Sequence, residues 1–172
     1  MNEKQHIEQI SIREGSPDDV DELVSLANRA DVKRLVPFTD VVPRGEEYFR
    51  KVLKFQSNDF WVRVATLNGE IVGFISGEPT INLKTKERIE GVEHIKTLVV
   101  DPKHWGKKIG GRLVSEAIEI AKKKSKKQIE LWTHETNSRA QRLYEGKGFK
   151  LTGERKEAEN TNEWIVHYSL NI

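Results

Sequence analysis

Residues 95–113 constrain this chain more than any other stretch. Residues 95–100 are apolar and rich in β-branched side chains, and Asp101-Pro102 closes them. The run His104-Trp105-Gly106-Lys107-Lys108-Ile109-Gly110-Gly111-Arg112-Leu113 follows. Leu113, Val114, Ala117, Ile118 and Ala121 then recur at helical spacing. The stretch reads as strand, glycine-rich turn and helix, and residues 128–132 add a strand behind it. Such a crossover unit favours a parallel strand pair. The turn aims several backbone N–H groups, and the positive end of a helix dipole, at one point, which suits phosphate. Lys107, Lys108 and Arg112 add positive charge around that point. A ligand carrying a pyrophosphate is expected there.

The remaining segments are consistent with one α/β (α+β) domain over residues 10–172, preceded by a polar leader at 1–9. Residues 10–13 alternate as a short strand. Ser16-Pro17-Asp18-Asp19 starts a helix, with Ser16 as its N-cap and Pro17 at its first position. Residues 29–43 read as irregular, with Pro37 and Pro43 as breakers, and 46–55 as a second helix. Two apolar runs, 60–66 and 70–77, flank Asn68-Gly69, a strong hairpin signal. Residues 78–90 read as a polar loop and 91–100 as a long strand. Residues 110–124 form the helix after the turn. A helix at 138–147, N-capped by Asn137, precedes strands at 149–155 and 163–170. The expected sheet is mixed and mostly antiparallel, with helices flanking it.

Composition narrows the chemistry. The chain of 172 residues has no cysteine, which excludes disulfides, a thiol nucleophile and a cysteine metal site. No other residue set suggests a metal centre. The net charge of +2 creates no global field for nucleic acid or membrane. No apolar run approaches the roughly 20 residues needed to span a bilayer. The polar leader lacks a signal-peptide core, so a cytoplasmic location is expected. Lysines at 122, 123, 124, 126 and 127 form the sharpest basic run. They read as a solvated helix C-terminus complementing the dipole, because no aromatic platform interleaves them.

Two motifs resemble the GNAT superfamily of N-acetyltransferases. Leu98, Val100 and Pro102 match the opening of its acetyl-CoA signature, and Gly106 and Gly110 match two of its glycines. The segment Asn137-x-x-Ala140-x-x-Leu143-Tyr144-x-x-x-Gly148-Phe149 resembles its second signature, and the order of elements also agrees. Two positions depart from the pattern: Trp105 stands where Arg or Gln is usual, and Lys108 where the middle glycine is usual. Lys108 therefore requires either a left-handed backbone or a different turn.

The resemblance implies acetyl-CoA as cofactor and direct attack of a primary amine, of a small molecule or peptide, on the thioester. The pyrophosphate would lie on the backbone of Trp105, Gly106, Lys107, Lys108, Ile109, Gly110, Gly111 and Arg112. A backbone N–H within Leu98, Val99 and Val100 would polarise the carbonyl, and Asn137 would cap its helix and touch the pantetheine arm. Tyr144 would protonate the leaving thiolate. The base is expected on the strand before the turn, at Glu93 or His94. Alternation counted back from Val100 reaches His94, whereas a bulge would favour Glu93. His134 and Glu135 are lower-ranked candidates at the rim. The amine pocket is expected from residues 29–44, with Asp31, Lys33, Arg34, Phe38, Asp40 and Arg44, from 78–90 and from 155–164. Acids at Glu154, Glu157, Glu159 and Glu163 could attract a cation. A polyamine, amino acid, antibiotic amine or protein N-terminus all fit this mixed charge, and a homodimer is left open. The competing reading is a non-catalytic acyl-CoA sensor of the same fold.

Overall fold

The computed structural model describes residues 9–35, 45–159 and 162–172. Most of the expected leader lies outside these, as do Phe38, Asp40 and Arg44. Strands β1 (Ile10–Glu14), β2 (Trp61–Leu67), β3 (Glu70–Ile81), β4 (Arg88–Val100), β5 (Gln128–His134), β6 (Lys150–Glu157) and β7 (Trp164–Asn171) form one sheet. Its order is β1-β2-β3-β4-β5-β7-β6. Every pairing is antiparallel except β4 with β5, the pair joined by the crossover helix α3 (Ile109–Lys123).

Each face of the sheet buries its own apolar cluster. On one face α1 (Val20–Leu35) and α2 (Glu46–Lys54) pack Leu23, Leu26, Phe49 and Leu53 against Val62, Val64, Phe74 and Val99. On the other, Leu113, Ala117 and Ile120 of α3 meet Ile75, Ile95, Ile129 and Leu131. Tyr144 of α4 (Ser138–Gly146) joins this second cluster. Asn68 and Gly69 take φ of 52° and 89°, the left-handed pair a tight hairpin demands.

Two expected boundaries move. Of the expected irregular stretch 29–43, residues up to 35 continue α1, and 36–43 lie outside the described residues. The last turns of α1 look irregular in sequence because Asp31, Lys33 and Arg34 replace the apolar stripe, and these residues face a cleft rather than the core. The polar loop at 78–90 shrinks to 82–87, because Pro79 pairs with Glu93 and Ile81 with Arg88. A hairpin end exposed to water keeps its ladder without an apolar alternation.

The decisive irregularity lies in β4. Ser76 opposes Thr97, but Gly77 opposes Ile95, so Lys96 is an extra residue. The bulge reverses the alternation. Ile95 and Glu93 therefore share the α3 face with Leu98 and Val100, and His94 does not. The ladder between β4 and β5 runs from Val92 and Gln128 to Ile95 and Leu131. Beyond that rung the two strands separate.

Candidate active site

The fork between β4 and β5 opens a cleft of about 610 Å³. Lys96 to Val100 form one wall, Trp132 to His134 the other, and the glycine-rich turn and the first turn of α4 close the end. Strand alternation decides what this wall offers. The Asp101 N–H is bonded to Val72 O on β3, so the Val100 and Leu98 peptide groups point the other way. Val100 O indeed accepts from the Trp105 indole at 2.8 Å. The Leu98 and Val100 N–H groups thus face the fork, where β5 no longer pairs with them.

The turn meets the requirement set by Lys108. This residue adopts φ 62° and ψ 12°, the left-handed region, and serves as N-cap of α3 without a side-chain cap hydrogen bond. Gly106 is left-handed as well, with φ 88°. The first turn of α3 carries no acid. Its N–H groups are therefore presented to an anion with no carboxylate competing. Gly110 and Gly111 serve packing too: a Cβ would meet Leu143 Cδ2 at 3.2 Å and Lys147 Cε at 3.4 Å, respectively.

Trp105 has a purpose of its own. The Arg139 guanidinium stacks 3.8 Å from its ring centroid while its indole holds β4. The turn is thereby pinned to both β4 and α4. Nothing in sequence marked Arg139, whose place in the first turn of α4 brings it over the ring.

Tyr144 lines the cleft, only 5% exposed, against Phe149 and Tyr168. Burial pushes its hydroxyl well above the ordinary tyrosine range, so it holds its proton at neutral pH. Asn137 caps α4 by accepting from Ala140 N at 3.2 Å, and it lines the same cleft. Lys107 and Arg112 are exposed and stand outside the lining.

Neither expected base reaches the cleft. The bulge brings Glu93 to the α3 face, but its carboxylate accepts from Trp61 Nε1 at 2.6 Å and Lys124 Nζ at 2.8 Å in the core. His94 pairs with Glu130 at 3.3 Å, and His167 holds the other Glu130 oxygen at 3.0 Å. These two histidines hold the Glu130 carboxyl down to about 2, from 4.5, against the opposing effect of its burial. Its ionised form therefore stabilises the fold above about pH 4.5, by roughly 3 kcal/mol at 1.36 kcal/mol per pH unit. That contribution disappears as pH falls from 4.5 towards 2. Urea melts of wild type and Glu130→Gln should differ by this order at pH 6 and converge in strong acid.

The cleft's other end gathers charge. His134 Nδ1 lies 2.7 Å from Glu163 Oε2, and Thr136 Oγ1 donates to Glu163 Oε1 at 2.7 Å. Arg34 lies 3.7 Å from Glu163 and 3.8 Å from Asp31. Of the expected amine-pocket residues, Asp31, Lys33 and Arg34 line the cleft and Glu163 stands behind His134, whereas none of 78–90 does. Glu135 turns away to Arg155 at 2.8 Å.

Comparisons with known proteins identify the family of the chain. Residues 26–149 match the profile of the Acetyltransferase (GNAT) family. An uncharacterised N-acetyltransferase of Archaeoglobus fulgidus is 33% identical over 135 residues, covering 78% of this chain and 89% of that one. The uncharacterised N-acetyltransferase MJ1207 of Methanocaldococcus jannaschii is 33% identical over 105 residues, 60% of this chain. That match spans only 44% of MJ1207. YncA of Salmonella typhimurium, a putative acetyltransferase solved with its cofactor acetyl-CoA, superposes with TM-score 0.76 at 18% identity. The superposition covers 94% of this chain and 93% of YncA. With its seven-stranded sheet forked between β4 and β5, the chain belongs to the GNAT family of acetyltransferases.

Proposed function

We propose that this protein transfers the acetyl group of acetyl-CoA to a primary amine of a small molecule or peptide by direct attack. The observation carrying this reading is the fork itself. It leaves the Leu98 and Val100 N–H groups facing the same cleft as Tyr144 and the uncapped start of α3. The residues present fit the cofactor: anion donors at the turn, strand N–H groups along the cleft wall, and a protonated phenol. When bound, acetyl-CoA supplies an activated thioester.

The backbone from Trp105 to Gly111 holds the pyrophosphate, and Lys108 adds charge at the mouth. A Leu98 or Val100 N–H polarises the carbonyl oxygen, a preorganised donor worth about 3 kcal/mol in the transition state. Tyr144 gives its proton to the departing sulfur, for which its protonated state at neutral pH is suited.

Acetyl-CoA at 100 times its Kd should stabilise the protein by about 2.7 kcal/mol. Thermal melts should then shift up by roughly 5–10 °C, and dephospho-CoA or adenosine alone should do less. No shift at saturating acetyl-CoA would remove the cofactor from this reading. A thiol-release assay with polyamines, amino acids and short peptides then identifies the amine.

A further inference from the structure

We propose that His134 accepts the proton of the incoming ammonium, held in place by Glu163. The inference rests on the acetyltransferase reading above and supplies the base that the strand before the turn does not.

Three observations carry it. His134 lies at the end of β5 and lines the cleft. Its Nδ1 is 2.7 Å from Glu163 Oε2, a contact of charge by distance without hydrogen-bond alignment, and that nitrogen has essentially no exposed surface. The side chain as a whole is 20% exposed, so the open part of the ring is the remainder, which includes Nε2. A carboxylate this close to Nδ1 favours, by its charge, the tautomer with the proton there and the lone pair on Nε2. Thr136 Oγ1 fixes the other Glu163 oxygen at 2.7 Å, so the carboxylate is itself oriented.

The charged groups around the ring set its protonation. Glu163 precedes β7, and Asp31 and Arg34 come from α1. Glu135, next in the chain, is turned to Arg155 on β6. Burial and Arg34 keep the ring below the usual histidine range, against the pull of Glu163 and Asp31. The imidazole is thus neutral at pH 7 and able to accept. In the step, one ammonium N–H bond breaks. Its electron pair stays on the amine nitrogen and its proton moves to His134 Nε2. The imidazolium returns that proton to solvent after turnover.

The test follows thiol release against pH for an amine that wild type acetylates. Wild-type kcat/KM should be level between the His134 pKa and the amine's pKa, because the enzyme deprotonates the amine itself. His134→Gln should lower kcat/KM on the order of 100-fold at pH 7. It should also climb about tenfold per pH unit up to the amine's pKa, since only the neutral amine reacts. Its Kd for acetyl-CoA should stay at the wild-type value. Glu163→Gln should start its level region at lower pH, because the carboxylate that stabilises the imidazolium is gone. A His134→Gln profile that coincides with wild type overturns the inference and leaves the acetyltransferase reading standing. An unmoved Glu163→Gln profile removes Glu163 from the role. Failure of wild type to release thiol with any amine overturns the acetyltransferase reading, and this inference with it.

Discussion

A Tyr144→Phe variant is expected to turn over about 100-fold more slowly at saturating acetyl-CoA, with little change in its affinity for the cofactor. The substitution removes one oxygen from a ring that is 5% exposed and packed against Phe149 and Tyr168. The ring's volume and the packing of α4 survive, so the loss isolates the proton. Burial keeps the phenol protonated at neutral pH, so its proton is present when the thiolate departs. Stopped-flow or steady-state thiol release, paired with calorimetry of acetyl-CoA binding, separates the two quantities. Equal turnover in wild type and variant would take Tyr144 out of the chemistry. A parallel fall in affinity would make it a cofactor contact instead.

The largest stability loss is expected at Lys124→Met. Glu93 is 1% exposed, and its carboxylate is held by Lys124 Nζ at 2.8 Å and Trp61 Nε1 at 2.6 Å. Taking away the ammonium strands a carboxylate in the core with a single neutral donor. Breaking a buried pair from one side costs about 3–5 kcal/mol. For a chain of this size that lowers Tm by roughly 10 °C. The double variant Glu93→Gln with Lys124→Met should regain much of the loss, because the neutral amide keeps the Trp61 contact and no charge is left unpaired. Urea denaturation of wild type, both single variants and the double variant gives the coupling directly. A loss below about 1 kcal/mol for Lys124→Met would place the pair at the ordinary surface level.

These two sites show what a sequence can and cannot display. The turn at 105–112 and the stretch 137–149 were legible because their chemistry is local: glycines, caps and one helical face lie close together along the chain. Lys124 was not, since five neighbouring lysines look alike until the fold brings Glu93 and Trp61 to one of them. The places of Glu93 and His94 were open in the sequence for a related reason. Glu93-His94-Ile95-Lys96 has a single apolar residue and so marks neither register, and the extra residue at Lys96 becomes visible only against Ser76 and Gly77. The irregular reading of 29–43 failed where helix α1 exchanges its apolar stripe for Asp31 and Arg34, which face the cleft. His134 carries no motif. It gains its position from the end of β5 and its partner from Glu163, distant in sequence.

The stacking of Arg139 on Trp105 has a mechanical consequence. Arg139 and Tyr144 belong to the same short helix, so the turn that would grip one end of the cofactor and the phenol that would serve its other end move as a single caliper. The jaw spacing is fixed by helix pitch, at about 1.5 Å per residue. On the proposed reading, acceptor specificity would be free to drift at Asp31, Arg34 and their neighbours while the gauge for the thioester keeps its setting.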